Sequence, residues 1–259
     1  MDEIKEFNLL IGEPIQFDTN IQIKVPTVEE AIKEKNIGLY TIIFTLTTRE
    51  LFQTLRNIDE LENKYPSIWA IIRDDEADQH IGSFFDETKT VSAILMEAFS
   101  YWTGLELGGD GGFHKHTNGK IVHIESEWVI DYETFREFGD VIKVITAYEP
   151  PESLPPKITS DLRYNTWINL LNNRRKQQER NALSWTDKIM ILSIAGSSFI
   201  PVDEIRKMSI YHFYRLFNGL NLKEAYETKL AYHLSPKYES DKNPLKHWKE
   251  LINRNKNKL

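Results

Sequence analysis

Four prolines fall within seven residues near the middle of the chain, at Pro150, Pro151, Pro155 and Pro156. Proline lacks a backbone N–H and fixes φ, so this cluster excludes a helix and favours a stiff, extended connector. A chain of 259 residues also exceeds the usual size of one domain, which is roughly 100 to 150 residues. The sequence therefore predicts two domains, residues 1–149 and 159–259, with a proline-rich connector at 150–158.

The two predicted domains differ in charge. Residues 159–259 contain 18 Lys+Arg and 10 Asp+Glu, a net charge of +8, whereas residues 1–158 contain 14 and 29, a net charge of −15. Opposite fields of this kind steer association between copies or with charged partners. Two ordinary solvated surfaces that differ in composition explain the same counts.

The chain contains no cysteine, which excludes disulfides, thiolate-bound zinc, cysteine nucleophiles and iron–sulfur clusters. No apolar run approaches the roughly 20 residues that span a bilayer, and the first residues lack the basic and then apolar order of a signal peptide. We therefore expect a folded, cytoplasmic protein without a membrane span.

Residues 1–149 combine strand and helix patterns. Alternation of apolar and polar residues from Leu9 to Val25 predicts a small antiparallel hairpin or meander. Thr27 and Glu30 have the spacing of a capping box, which predicts a helix to about Lys35. Apolar residues at helical spacing predict helices over 37–55 and 91–102, and Gly104 ends the second of these.

The later part of this domain predicts a second hairpin and a further helix. Residues 107–112 are rich in glycine and predict a mobile loop. Residues 113–116 and 120–124 flank Asn118-Gly119, a pair that favours a tight hairpin turn. Asp131 is placed to cap a helix that runs to about Ala147. The predicted fold class is α+β, with small antiparallel β elements packed against helices in this part.

Residues 159–259 predict helices alone. A long helix begins near Leu162 and becomes wholly polar at 172–181, and Ser184 is placed to cap the next helix. Shorter helices are predicted over 202–208, 209–217, 222–234 and 245–254.

The histidines of the second hairpin are the strongest candidates for a metal site. His114 and His116 share a strand face, and His123 lies across the turn, with Asp110, Glu125 and Asp131 nearby in the sequence. Two histidines and a carboxylate can hold a divalent ion. An exposed polar hairpin explains the same residues, and we predict no metal site and no cofactor. The glycine loop enters a hairpin rather than a helix, so it fits neither a dinucleotide fingerprint nor a P-loop.

A basic helix raises the question of nucleic-acid binding. Arg174, Arg175, Lys176 and Arg180 lie on one polar helix, which could follow nucleic-acid phosphates. A solvated helix face predicts the same residues, and no helix-turn-helix pattern accompanies them. We therefore do not expect nucleic acid as the partner.

The segment 208–226 is rich in aromatic residues. Core packing is the default explanation of such a stripe. A helix that is apolar on more than one face must bury the excess elsewhere, so we predict a protein-binding surface for an acidic amphipathic helix. Its predicted residues are Tyr211, Tyr214, Arg215, Lys223 and Tyr226. No catalytic triad, carboxylate pair or kinase set is recognisable in the sequence, and we predict no enzymatic activity.

The order of several segments carries a resemblance to a known group of proteins. In the C-terminal part these segments are the polar basic helix Asn172 to Arg180, the apolar segment Ile189 to Ser197, Met208 to Tyr214, Lys223 to Tyr226, and His247-Trp248. The N-terminal part adds Val25 to Ala31 and the hairpin-to-helix run Lys120 to Phe135. With this order the chain resembles tail assembly chaperone-like and other tail morphogenesis proteins of tailed bacteriophages of Gram-positive hosts. The glycine loop and the proline connector have no counterpart in that pattern.

The resemblance implies a non-enzymatic protein of the bacterial host cytoplasm. It would bind other tail components, such as tape-measure or tube subunits, and keep them soluble until assembly, and self-association is compatible with this role. Three alternatives stay open: a structural tail or baseplate protein, a nucleic-acid-binding module, and a metal-dependent enzyme that uses the His114/His116 hairpin.

Overall fold

A computed structural model describes residues 3–116, 119–148, 157, 159–181, 183–196, 198–234 and 245–250. The fold is α+β, as the sequence predicts, with small antiparallel sheets among the N-terminal helices and helices alone in the C-terminal part. Apart from Lys157, the proline-rich connector lies outside the described residues, so its conformation and the domain boundary there stay predictions. In the described residues no helix is long and apolar enough to cross a membrane.

The elements of the first part, in chain order, are α1 (Glu3–Ile11), β1 (Ile15–Asp18), β2 (Ile21–Ile23), α2 (Val28–Lys33), α3 (Ile37–Thr45), α4 (Thr48–Leu51), α5 (Ile58–Lys64), α6 (Ile68–Ile72), α7 (Asp75–Gly82), α8 (Val91–Thr103), β3 (Phe113–Lys115), β4 (Ile121–His123), β5 (Trp128–Ile130) and α9 (Tyr132–Ile145). The second part contributes α10 (Asp161–Asn181), α11 (Trp185–Ala195), α12 (Val202–Lys207) and α13 (Ile210–Leu234).

These elements form two compact units that are each discontinuous in sequence. Unit 1 comprises residues 1–13, 25–33 and 183–259, and unit 2 comprises residues 14–24 and 34–182. Helices α1 and α2 therefore belong with α11, α12 and α13, and α10 belongs with α3 to α9. The domains predicted from the sequence are, by contrast, continuous segments.

The core of unit 2 is built around α8, whose apolar residues recur at helical spacing on one buried face. The Phe99 ring lies 5.0 Å from that of Phe44 on α3 and 4.9 Å from that of Phe138 on α9, between ring centroids. Trp102 is fully buried and donates its indole N–H to the Tyr40 carbonyl at 3.1 Å. Gly104 then ends α8 with a left-handed φ of 74°, as predicted.

The two sheets of unit 2 are small. Strands β1 and β2 form an antiparallel pair, and β3, β4 and β5 form an antiparallel sheet in that order. The predicted hairpin is confirmed, because Phe113 pairs with His123 and Lys115 pairs with Ile121. The turn differs from the predicted one, because the Gly119 N–H donates to the His116 carbonyl at 2.9 Å. Gly119, with a φ of +78°, therefore follows the turn as a left-handed residue in a loop longer than two residues. Residues 117 and 118 lie outside the described residues.

Unit 1 is held together around Ser209, at the start of α13. The Ser209 hydroxyl donates to the Leu9 carbonyl at 2.7 Å and accepts from the His212 N–H at 3.0 Å. On either side of Ser209, Val28 N–H donates to the Met208 carbonyl and Ile210 N–H to the Pro26 carbonyl, each at 2.9 Å. The apolar core of unit 1 comprises Val28, Ile189, Leu192, Ile205 and Phe213. The chain before α2 is thereby bonded to the chain before α13.

Three sequence predictions of elements are wrong. Leu9 and Ile11, which the alternating pattern assigned to a strand, lie in helix α1, with Leu9 buried in unit 1 and Ile11 54% exposed. The rest of that pattern forms the predicted hairpin, β1 and β2. The helix predicted over 37–55 is interrupted because Thr47 forms a capping box with Glu50 and starts α4. The two helices predicted over 209–234 are one helix, because burial of Phe213, Phe217 and Leu220 along one face outweighs the roughly 1 kcal/mol cost of a glycine inside a helix.

The net charges of the two structural units differ from those of the two domains predicted from the sequence. Unit 1 contains 15 Lys+Arg and 14 Asp+Glu, a net charge of +1, and unit 2 contains 17 and 25, a net charge of −8. Within unit 1 the N-terminal carboxylates pair with C-terminal cations: Glu6 lies 3.2 Å from Arg215, and Glu29 lies 2.9 Å from Arg206. The basic C-terminal helices are thus neutralised inside their own unit.

Candidate partner-binding surface

The five residues predicted to bind a partner all lie on α13, and the first part of this helix belongs to the core of unit 1. Tyr211 is 1% exposed, and its hydroxyl donates to Glu6 at 3.5 Å. Arg215 donates to the same Glu6 carboxylate at 3.2 Å. Burial raises the pKa of the Tyr211 hydroxyl. The structure therefore joins Tyr211 and Arg215 through Glu6 and leaves little of Tyr211 at the surface.

Tyr214 is half-buried in an aromatic cluster. Its ring lies 5.9 Å from that of Trp185, at the start of α11, and 5.8 Å from that of Phe213. The Lys188 ammonium lies 5.6 Å from the Trp185 ring and 5.9 Å from the Tyr214 ring, distances at which a cation and an aromatic face attract one another. Burial raises the pKa of Tyr214.

The remaining two predicted residues lie farther along the helix. Lys223 forms an ion pair with Glu227 at 3.8 Å, and the Tyr226 ring packs 4.9 Å from that of His247. At 1.5 Å per residue, Tyr211 and Tyr226 are separated by about 22 Å along the axis. Tyr214, Lys223 and Tyr226 each keep part of their side chains accessible, so their contact with a partner stays a prediction.

A more exposed apolar surface lies on α11. This helix buries Ile189 and Leu192, but Met190 on its other side is 47% exposed and Ile194 is 66% exposed. Met190 and Ile194 are four residues apart, so they are neighbours on one helix face. The sequence signal is that residues 189–202 include no charged residue, which leaves α11 apolar on more than one side. Sequence reasoning identified the helix but not its second apolar face.

The segment after α11 presents a further exposed aromatic residue. The Ser193 hydroxyl donates to the Ile200 carbonyl at 2.7 Å, and the Ile200 N–H donates back to the Ser193 carbonyl at 3.1 Å. These bonds fix the backbone beside Phe199, whose side chain is 71% exposed. We call Met190, Ile194 and Phe199 the α11 surface.

The hairpin histidines do not converge. Because Phe113 pairs with His123 and His114 pairs with Val122, His114 and His123 lie on opposite faces of the sheet. His123 is 1% exposed and its Nδ1 lies 2.8 Å from the Ser126 hydroxyl, whereas His114 is exposed, with Nε2 3.3 Å from the Gly109 carbonyl. Among the described residues, no three His, Asp or Glu side chains are grouped as metal ligands would be.

The basic helix α10 is anchored at its start and exposed afterwards. Trp167 donates its indole N–H to the Gln53 carbonyl at 2.9 Å, and Leu171 is 7% exposed. From Asn172 to Gln177 every side chain is exposed, including those of Arg174, Arg175 and Lys176. The solvated polar face expected from the sequence is therefore present, and it belongs to unit 2.

Comparison with known proteins gives one partial match. A family model described as the YomV second domain matches residues 175–253, which are 79 of the 259 residues. The matched segment contains the end of α10 and all of α11, α12 and α13, and so includes the α11 surface. No curated protein and no solved structure matches the chain. The match suggests a phage-type protein family.

Proposed function

We propose that the protein is a non-enzymatic tail morphogenesis protein of a bacteriophage, resembling tail assembly chaperones. In this role it binds other tail components, such as tape-measure or tube subunits, and keeps their apolar surfaces out of water before assembly. The phage-type family match over residues 175–253 supports the viral setting.

The observation that carries the proposal is the α11 surface. Ile194 and Phe199 are 66% and 71% exposed, inside the segment that matches the family model. Exposed apolar patches on monomeric proteins commonly mark sites of protein association. Met190 adds an unbranched, flexible side chain of the kind that adapts to differently shaped partners. The uncharged character of residues 189–202 suits a partner whose contacting face is apolar.

Co-expression with tape-measure and tube proteins encoded beside the gene tests the proposal. We expect these partners to co-purify with the wild-type chain, and the double variant Ile194→Ser, Phe199→Ser to recover at least about tenfold less of them. Since both side chains are exposed, the variant should keep the wild-type melting temperature. Leu162→Ser is the matched control, because Leu162 is 77% exposed on α10 in unit 2.

Two outcomes would contradict this function. The first is that neither tail component co-purifies with the wild-type chain. The second is that the double variant recovers as much partner as Leu162→Ser does. Immunoblotting of purified particles separates a chaperone, which is absent from mature tails, from a structural tail protein, which is present in them.

A further inference from the structure

Unit 2 contains an open groove between α5 and α7, with a volume of about 350 Å³ and a lining of both apolar and polar residues. Its apolar lining includes Phe52, Leu61 and Ile81, and both Phe52 and Ile81 are almost completely buried. This volume lies within the range of roughly 300 to 1,000 Å³ that is usual for binding pockets. The groove is therefore large enough to take large apolar side chains from another molecule.

One wall of the groove is an exposed aromatic residue held in position. Phe84, in the turn after α7, is 57% exposed. Its ring lies 6.3 Å from that of Phe52 and 5.7 Å from that of His80, with both contacts edge-on. An exposed but supported aromatic side chain loses little conformational freedom on binding, which is the property of interface anchors.

Three polar residues that line the groove, Tyr65, Asp74 and Lys64, neutralise one another. The Tyr65 hydroxyl donates to one oxygen of Asp74, and the other oxygen accepts from the Ala77 N–H at 3.1 Å and caps α7. The Lys64 ammonium lies 3.5 Å from the same carboxylate and 4.8 Å from the Tyr65 ring. Tyr65 and, after it, Asp74 raise the pKa of Lys64. This trio has no net charge.

The rim is consequently negative. Glu76, in the first turn of α7, lines the groove and is exposed. No cation among the residues that the structure describes forms a salt bridge with it. Unit 2 as a whole carries a net charge of −8, so an acidic ligand would be repelled and a basic one attracted.

We propose that this groove binds a basic amphipathic helix of a partner protein. The helix places large apolar side chains against Phe84, Ile81 and Leu61 and a Lys or Arg at Glu76, in the manner of a helix laid into a groove. The proposal rests on the proposed function, since it assigns the bound segment to a tail component. The groove is a different surface from the α11 surface. It would select a basic helix, whereas the surface predicted on α13 would select an acidic one.

Fluorescence anisotropy with the full chain tests the groove. The probe is a labelled peptide of about 18 residues, five helical turns, with Leu and Phe on one face and Lys on the other. We expect saturable binding that Phe84→Ala and Glu76→Lys each weaken at least about fivefold. Phe7→Ala and Glu137→Lys are matched controls. Phe7 is an exposed aromatic residue of unit 1 outside the α11 surface, and Glu137 is an exposed residue of α9 whose replacement changes the net charge equally.

Several results would overturn the groove proposal. One is that a peptide with Glu in place of Lys binds as tightly as the basic peptide. Another is that a peptide with Ser in place of Leu and Phe binds as tightly. A third is that Phe84→Ala binds the basic peptide as tightly as the wild-type chain does. Sedimentation velocity provides a further test: a wild-type dimer that Phe84→Ala converts to monomers would assign the groove to a second copy of the chain.

The two proposals fail separately. If the basic peptide does not bind while tail components still co-purify with the wild-type chain, the groove proposal alone is wrong. If the peptide binds at Phe84 and Glu76 while no tail component co-purifies, the proposed function alone is wrong.

Discussion

Buried polar residues of unit 2 are linked in a network around Asp78. Its carboxylate accepts from the Ser92 N–H at 2.7 Å and the Ser92 hydroxyl at 2.6 Å, and from the Lys115 ammonium at 2.8 Å. The Asp78 side chain is 4% exposed and that of Lys115 is 19% exposed. Removing one member of a buried ion pair leaves the other charge without compensation, which is more costly than losing a surface pair. The network thereby ties α7 to the start of α8 and to β3.

The substitution Asp78→Asn should lower the free energy of unfolding by about 2 to 4 kcal/mol, because Lys115 would keep its charge without its buried partner. Asp75→Asn is the control. Asp75 also lies 2.8 Å from the Lys115 ammonium, but its side chain is 95% exposed, so we expect a loss of about 0.5 kcal/mol or less. Urea denaturation measures both, and similar losses for the two variants would show that burial does not set the strength of this network.

Glu29 is expected to titrate unusually low. Hydrogen bonds from Lys33 and, second, from Arg206 lower its pKa from 4.5 to about 2. Since the folded-state pKa lies below the unfolded value, this carboxylate stabilises the fold at pH above 4.5, and its contribution is lost as the pH falls toward 2. Its exposure makes the effect sensitive to salt.

Carboxyl-detected NMR titration measures the Glu29 pKa directly. We expect Arg206→Gln to raise it part of the way toward 4.5, the remaining shift being due to Lys33. Arg136→Gln, which removes the partner of Glu133 in unit 2, should leave it unchanged. A wild-type value near 4.5 would show that the ion pair is not formed in solution.

At the scale of elements, the sequence identified those that depend on local signals. The capping box at Thr27, the helix cap at Ser184, the αL glycine at Gly104 and the hairpin at 113–124 are specified by neighbouring residues, and all are present. The conformation of α1 could not be read in this way, because alternation over a few residues fits a strand equally well. Its helix is accompanied by burial of Leu9 and by the bond from Ser209, which lies 200 residues away.

The candidate site was predictable only in part, for a related reason. Sequence placed the aromatic residues on the correct helices, but whether a side chain such as Tyr211 or Ile194 is buried depends on which helices pack together. The acceptor Glu6 lies 205 residues from Tyr211. The exposed face of α11 likewise depends on which side packs against α12 and α13. Local periodicity has no information on either contact.

The approach of α9 to α3 gives a prediction at this scale. A Cβ at Gly139 would lie 2.7 Å from the Phe44 carbonyl oxygen, so Gly139→Ala should force the helices apart and cost about 1 to 3 kcal/mol, although alanine favours helix. Gly38→Ala is the control on α3, where a Cβ meets nothing within 4 Å. We expect it to be neutral or to stabilise by up to about 1 kcal/mol. Guanidinium denaturation would contradict the close approach if both variants were stabilised.

At the scale of the whole molecule, unit 1 is assembled from both ends of the chain. The main-chain bonds between Val28 and Met208 and between Pro26 and Ile210, and the ion pairs of Glu6 and Glu29, all join N-terminal residues to the C-terminal helices. Contacts between residues so distant in sequence carry a loop-closure cost. The segment that matches the family model, residues 175–253, therefore packs with α1 and α2, which lie outside the match.

This organisation predicts how fragments behave. Residues 159–259 alone lack α1 and α2, so Leu9 and Val28 are missing from the core, and Arg206 and Arg215 lose their carboxylate partners. We expect this fragment to show no cooperative thermal transition by circular dichroism, because short helices without a packed face are marginal in water.

Adding a peptide of residues 1–33 in excess should restore a transition whose midpoint rises with peptide concentration. The same peptide with Glu6→Lys and Glu29→Lys is the control and should restore less, since each ion pair would become a repulsion. If residues 159–259 unfold cooperatively at the midpoint of the full chain without any peptide, the C-terminal half is an independent domain, as the proline-rich connector predicts, and the contacts of α1 and α2 are dispensable for its fold.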